Sequence, residues 1–102
     1  MKYIEDLFVG GSVQDLSTIL YSLRQNIPVF HLYCICLFYD KKGNHMEILS
    51  SKEICKKRYQ QKEFVVVGVA YGKAEAVDLF CYIMEQAVQK GSNLQKAEEW
   101  AI

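Results

Sequence analysis

The segment VFHLYCICLFY, residues 29–39, constrains the fold more than any other part of the chain. Apart from His31 it consists of β-branched, aromatic and other apolar residues, so it predicts a β-strand. Alternate residues of a strand point to opposite faces of the sheet, and here both sets are apolar. A strand with one solvated face would alternate with polar residues. We therefore predict a central strand that is covered on both faces.

Two apolar faces need two covers. Helices of the same chain are expected to cover one face, and either a C-terminal helix or a second subunit is expected to cover the other. Because a large exposed apolar patch is unusual on a monomer, we expect a homodimer that forms through a face or an edge of the sheet.

Length, composition and charge favour one globular domain over residues 1–102. The chain is 51% hydrophobic and 24% charged, which is typical of globular domains. Twelve Lys and Arg residues balance twelve Asp and Glu residues, so net charge directs the protein neither to nucleic acid nor to an anionic membrane. No signal-peptide pattern is visible, and no apolar run approaches the roughly 20 residues that span a bilayer. We expect a cytoplasmic protein.

Apolar periodicity predicts the elements before the central strand. Residues 2–9 fit either a short strand or a helical turn. Ser12 predicts a helix N-cap, and the helix is expected to end near Gln25 or Asn26, because the residue before Pro28 disfavours helical backbone. The apolar stripe of this amphipathic helix consists of Val13, Leu16, Leu20, Leu23 and Ile27.

The elements that follow begin with a polar turn, residues 40–44, in which Gly43 is placed for a positive φ. Residues 45–50, HMEILS, predict the return strand of a hairpin. Ser50 or Ser51 then predicts the N-cap of one short helix, KEICKKRYQQ.

Residues 63–70 predict a second buried strand, and residues 73–90 predict the clearest helix, with Gly91 as its C′ residue. Residues 92–102, which contain Trp100, predict a mobile or docking tail. The predicted apolar stripe of the long helix is Val77, Phe80, Cys81, Met84, Ala87 and Val88.

This order of elements predicts an α+β fold. We expect a small antiparallel or mixed sheet with helices packed mainly on one face. If the N-terminal segment is a strand, the order approaches a ferredoxin-like arrangement with an extra C-terminal helix.

The segment FVVVGVAYGKAEAVDLF, residues 64–80, predicts a strand that passes through a glycine turn into a helix. Gly72, Lys73 and the free N–H groups at the helix start could bind a phosphate or another anion. However, Ala74 stands where a P-loop carries Ser or Thr, and the glycine spacing fits no dinucleotide motif. The favoured alternative is structural: Gly68 lets the backbone approach closely, and Gly72 forms the turn.

Cys34 and Cys36 are predicted to share one strand face, about 7 Å apart. Buried free thiols are the expected state in a reducing compartment. A zinc site needs four ligands, and His31 is expected on the opposite face, so we predict no metal site and no cofactor. His45 could reach Cys36 only in one register, and we predict no catalytic residue and lean against an enzyme.

The strongest charge feature is a run of basic residues around Tyr59: Lys52, Lys56, Lys57, Arg58 and Lys62. Of these, Lys56, Lys57 and Arg58 could contact the phosphate backbone of a nucleic acid. The favoured alternative is the solvated face of a short helix.

Residues 29–90 carry a strand, a polar turn, a second strand and then the pattern Gly-x-Ala-x-Gly-x-x-Glu-Ala. The pattern resembles that of a family of small bacterial proteins with no established activity. Its matching positions are Gly68, Ala70, Gly72, Glu75 and Ala76. The resemblance implies a bacterial origin and a compact domain of helices and strands, and it implies no function.

Three functions remain open. The leading hypothesis is a non-enzymatic binding or protein-interaction domain that acts as a homodimer or binds another protein. The first alternative is a small-ligand domain that binds an anionic group at Gly72 and Lys73. The second is nucleic-acid binding through the basic helix within residues 52–62.

Overall fold

The structure, a computed structural model, describes residues 2–40, 43–60 and 62–89. The predicted C′ residue Gly91 and the predicted tail, residues 92–102, lie outside the described residues. The strands are β1 (Lys2–Val9), β2 (Leu32–Asp40), β3 (Gly43–Ser50) and β4 (Phe64–Tyr71). The helices are α1 (Leu16–Arg24), α2 (Ser51–Ile54), α3 (Lys57–Gln60) and α4 (Lys73–Gln89).

The sheet has four strands in the order β1-β4-β2-β3. β1 runs parallel to β4, whereas β2 runs antiparallel to both β4 and β3. This confirms the α+β class with a mixed sheet, and the uncertain N-terminal segment is a strand. Gly43, the first residue of β3, has the predicted positive φ, at 121°.

The ferredoxin-like arrangement is not confirmed. In that arrangement both helical connections join parallel strands that are separated by one antiparallel strand. Here α2 and α3 connect the parallel strands β3 and β4 across β2, but α1 connects β1 to the antiparallel strand β2. The resulting sheet places β1 at one edge and β3 at the other.

Helices cover both faces of the sheet, three of them on one face. On that face the buried side chains of α1 and α2 pack with Cys34, Cys36 and Phe38 of β2. On the other face Ile83 of α4 packs with Ile35 and the neighbouring strands. The second cover that the doubly apolar strand requires is therefore the chain's own long helix.

The start of α1 differs from the prediction. Ser12 was expected to be the N-cap, but the helix begins at Leu16, and Asp15 is the N-cap residue without a side-chain capping bond. The backbone N–H of Val13 donates to the carbonyl of Gly10, which makes a turn where the helix was expected. The extra residues carry the chain from the edge of the sheet onto its face.

The end of α1 is confirmed and has a clear physical cause. Asn26 adopts a φ of 58°, and its N–H donates to the carbonyl of Leu23, while the N–H of Ile27 donates to that of Ser22. These two bonds are those of a Schellman motif, in which Asn is tolerated at the left-handed position. The motif satisfies helix-end carbonyls before Pro28 is reached.

The predicted helix after β3 is two short helices, since α2 ends at Ile54 and α3 begins at Lys57. Ser50 is the N-cap that was expected, because its Oγ accepts the N–H of Glu53 at 3.2 Å. Ser51 has another role: it is buried, and it binds the backbone of Val29.

The apolar stripe predicted for α4 is partly wrong. The side chains buried against the sheet are Ala76, Ile83 and Ala87, whereas Val77 and Cys81 are exposed. The prediction failed because apolar residues occupy more than half of the circumference of this helix, so spacing alone does not select the buried face. The exposed part of that apolar arc is left without a cover among the described residues.

Candidate functional site

The turn that was predicted as an anion site joins β4 to α4. Gly72 has a φ of 82°, and its N–H donates to the carbonyl of His31 at 2.9 Å. A Cβ at Gly72 would lie 3.0 Å from Nε2 of His31, and one at Gly68 would lie 3.1 Å from Cδ1 of Ile83. Both glycines therefore have the structural roles that were expected, a turn and a close approach of α4 to the sheet.

The start of α4 already holds an anionic group of its own chain. The Glu75 carboxylate accepts the N–H of Ser12 at 2.8 Å and the N–H of Tyr71 at 2.7 Å. These hydrogen bonds lower the pKa of Glu75, although desolvation of the carboxylate opposes them. The hydrogen bond from Ser12 has the largest effect. A negative charge in the first turn opposes a second anion there. Anion binding at Gly72 and Lys73 stays a prediction, and this carboxylate competes with it.

The two thiols of β2 belong to the core. Cys34 and Cys36 are completely buried in the cluster under α1, and burial raises the pKa of Cys34 to about 12 and that of Cys36 well above its ordinary value. His45 pairs across the strands with Phe38 and stacks on its ring, with the centroids 5.2 Å apart. Within the described residues, no group of three His, Cys, Asp or Glu side chains could hold a metal ion.

Two cations of the basic run are paired with a carboxylate, although their side chains are exposed. Glu53 forms ion pairs with both Lys56 and Arg58. The hydrogen bond from Lys56 and the charge of Arg58 lower the pKa of the Glu53 carboxyl. Lys57 is exposed. Nucleic-acid binding by Lys56, Lys57 and Arg58 stays a prediction, with two of its three cations engaged by one carboxylate.

A cavity that the sequence did not predict lies at the end of the sheet where β1 and β4 begin. Its volume is about 390 Å³. Residues from β1, β4, α1, α2 and the α3 region form its lining, among them Lys2, Arg24, Tyr59, Lys62 and Phe64. The only feature of the sequence that pointed to this cavity was the spacing of Tyr59 and Lys62 within the basic run.

An exposed phenylalanine lies on the loop between α1 and β2. The predicted strand begins at Leu32 rather than at Val29, and Phe30 precedes it with 93% of its surface exposed. His31 has a φ of 63°, which is uncommon for a residue other than glycine. Because of this loop, His31 lies before the strand and not on the predicted face of it.

A second exposed apolar surface combines α4 with the edge strand β3. Tyr82 on one side of α4 contacts Phe8 of β1, with ring centroids 5.9 Å apart. With 3.6 residues per turn, the opposite side of α4 faces β3. Partly buried side chains of α4 and of β3 pack there against the same hydrophobic cluster. We call this the β3–α4 surface; it consists of Met46, Ile48, Val77, Phe80, Cys81 and Met84.

Comparison of the chain with protein families, curated proteins and solved structures found no match. The resemblance to a family of small bacterial proteins therefore stays a prediction. No helix in the described part of the chain is long and apolar enough to cross a membrane.

Proposed function

We propose that this protein is a protein-interaction domain that acts as a homodimer through the β3–α4 surface. The observation that carries the proposal is that the described residues cover neither the outer edge of β3 nor the adjacent apolar side of α4. In the described residues β3 pairs only with β2, so its other edge has backbone groups free to pair with a further strand.

The two parts of the β3–α4 surface support one another. A two-fold axis beside β3 would extend the sheet from four strands to eight and bring the α4 helices of both copies onto the same face. Val77, which is 42% exposed, and Cys81 would then pack against the partner's α4. Burial of this arc would supply the apolar contact that edge pairing lacks by itself.

The polar side chains on β3 also fit this arrangement. In an antiparallel pairing centred on Met46, His45 of one copy lies opposite Glu47 of the other. The same two side chains already lie 3.3 Å apart within one chain, so both copies present a matched pair at the axis. Such a cross-strand pair stabilises a sheet through a hydrogen bond, and also as an ion pair where the imidazole is protonated.

Sedimentation velocity over a dilution series tests this proposal. We expect a concentration-dependent dimer for the native chain, and we expect Val77→Glu to shift it to monomer, because the variant buries a carboxylate in the interface. Tyr82→Glu is the matched control: it adds the same charge to the β1 side of α4 and should leave the dimer intact. A native chain that stays monomeric throughout the series contradicts the proposal.

The second candidate is docking of a different protein onto the loop at residues 27–31, and Phe30 favours it. The loop is held on both sides of this residue. Ser51 Oγ donates to the carbonyl of Val29 at 2.6 Å and accepts its N–H at 2.9 Å, and the carbonyl of His31 accepts the N–H of Gly72. A backbone that is held in place on both sides of an exposed aromatic residue reduces the entropy that the loop loses on binding.

Phe30→Ser tests this candidate. We expect the variant to fold with unchanged stability, since Phe30 buries almost none of its surface. It should lose a partner that the tagged native chain retains from a cell extract. Tyr21→Ser, at another exposed aromatic position, should retain that partner. Equal retention by both variants removes Phe30 from the interface.

A cytoplasmic location and a bacterial origin are parts of the same proposal. The four cysteines are free, which suits a reducing compartment. The localisation of a tagged chain in a bacterial host tests the cytoplasmic location, and recovery of the chain in an extracytoplasmic fraction contradicts it.

A further inference from the structure

The cavity between α1 and α3 has the size and position of a small-molecule site. Its volume of about 390 Å³ falls within the range usual for ligand pockets, roughly 300–1,000 Å³. Buried apolar side chains, Leu23 and Ile54, contribute to its lining. It lies at the end of the sheet where β1 and β4 begin, and none of the residues of the β3–α4 surface lines it.

Most of the charged residues in the lining are cations. Lys2, Arg24 and Lys62 contribute three positive charges, and Glu63 contributes the one carboxylate among the described lining residues. The ion pairs found among the described residues involve Lys56, Arg58 and His45. None of those ion pairs includes a cation of the cavity lining. Cations that line one concave surface without an ion-pair partner favour an anionic ligand.

Two of the three cations lie against aromatic rings. The guanidinium of Arg24 lies 4.9 Å from the ring centroid of Tyr3, and Nζ of Lys62 lies 4.9 Å from that of Tyr59. Such cation–π contacts orient long side chains that otherwise move freely. Tyr59 and Phe64 also line the cavity. Phe64 is only 8% exposed, and the ring of Tyr59 carries Arg58 as well as Lys62, so the two residues give the cavity an apolar wall.

We propose that this cavity binds a small organic anion. Arg24, Lys62 and Lys2 bind the anionic group, and Tyr59 and Phe64 contact the apolar part of the ligand. The anionic group is a phosphate or a carboxylate, which the same cations bind through charge-assisted hydrogen bonds.

Fluorescence titration with 8-anilinonaphthalene-1-sulfonate, a planar organic anion, tests the inference on the full chain. We expect saturable binding that Arg24→Gln and Lys62→Gln each weaken about tenfold, the effect of losing one charge-assisted contact. Lys52→Gln is the matched control, since Lys52 belongs to the same basic run but does not line the cavity, and its affinity should equal that of the native chain. Equal weakening by all three variants, or by none, overturns the proposal.

Competition then identifies the ligand class. Displacement of the probe by adenosine monophosphate but not by adenosine supports a phosphate ligand. Displacement by indole-3-acetate but not by indole-3-acetamide supports a carboxylate ligand. Equal displacement by the charged and neutral members of each pair would mean that the cavity selects apolar rings alone, and it overturns the anionic assignment.

Discussion

Gly72 shows how one residue fixes the junction of β4 and α4. Its φ of 82° lies in the region where a Cβ costs roughly 1–2 kcal/mol, and an added Cβ would lie 3.0 Å from His31. We predict that Gly72→Ala lowers the free energy of unfolding by roughly 1–3 kcal/mol, measured by urea denaturation. Gly11→Ala is the control, because no heavy atom lies within 4 Å of its added Cβ. Equal losses in both variants would contradict this role.

Glu75 links the same junction to the start of α1. Its pKa is lowered in the folded state by the N–H groups of Ser12 and Tyr71, so its contribution to stability is complete above the ordinary pKa of a glutamate. That contribution is lost as the pH falls below the ordinary value and through the lowered one. We predict that Glu75→Gln costs about 1 kcal/mol at neutral pH, and that its stability falls less steeply with acid than that of the native chain.

Chemical denaturation at neutral pH and at several acidic pH values measures both effects. Glu85→Gln removes an exposed carboxylate from the same helix and serves as the control. If Glu85→Gln and Glu75→Gln change the pH dependence equally, the hydrogen bonds of Glu75 do not act as described.

At the scale of elements, Ser51 connects the start of α2 to the loop that carries Phe30. Its buried hydroxyl satisfies both the N–H and the carbonyl of Val29. We predict that Ser51→Ala lowers the free energy of unfolding by roughly 1–3 kcal/mol, because it leaves two backbone groups unpaired. Ser17→Ala, at an exposed position of α1, should change stability by less than about 0.5 kcal/mol. Thermal denaturation compares the two variants.

The elements also show what the sequence can and cannot predict. The strands β2 and β4 were predicted because burial on both faces requires apolar residues at consecutive positions, which is a local signal. The start of α1 was not predicted correctly, because the N–H of Ser12 donates to Glu75, a residue 63 positions away. The buried face of α4 was not predicted correctly either, since the apolar arc of this helix is wider than its contact with the sheet.

At the scale of the whole molecule, the α+β class followed from the order of elements, but the strand order did not. Pairing of β1 with β4 joins the first and the last strand of the described chain, and no local pattern in residues 2–9 specifies that partner. The cavity could not be predicted for the same reason. Lys2, Arg24 and Lys62 are far apart in sequence and line one cavity only when β1, α1 and the α3 region reach one end of the sheet.

The central claim, a homodimer that pairs through β3, is tested most directly by hydrogen–deuterium exchange at two protein concentrations. Backbone amides of the edge strand Gly43–Ser50 should exchange more slowly at the higher concentration, because pairing with a second copy protects them. Amides of the other edge strand, Lys2–Val9, should exchange at the same rate at both concentrations and act as the internal control. In Val77→Glu the protection of β3 should disappear. Exchange in β3 that is independent of concentration, in a native chain shown to be dimeric, would contradict the edge pairing.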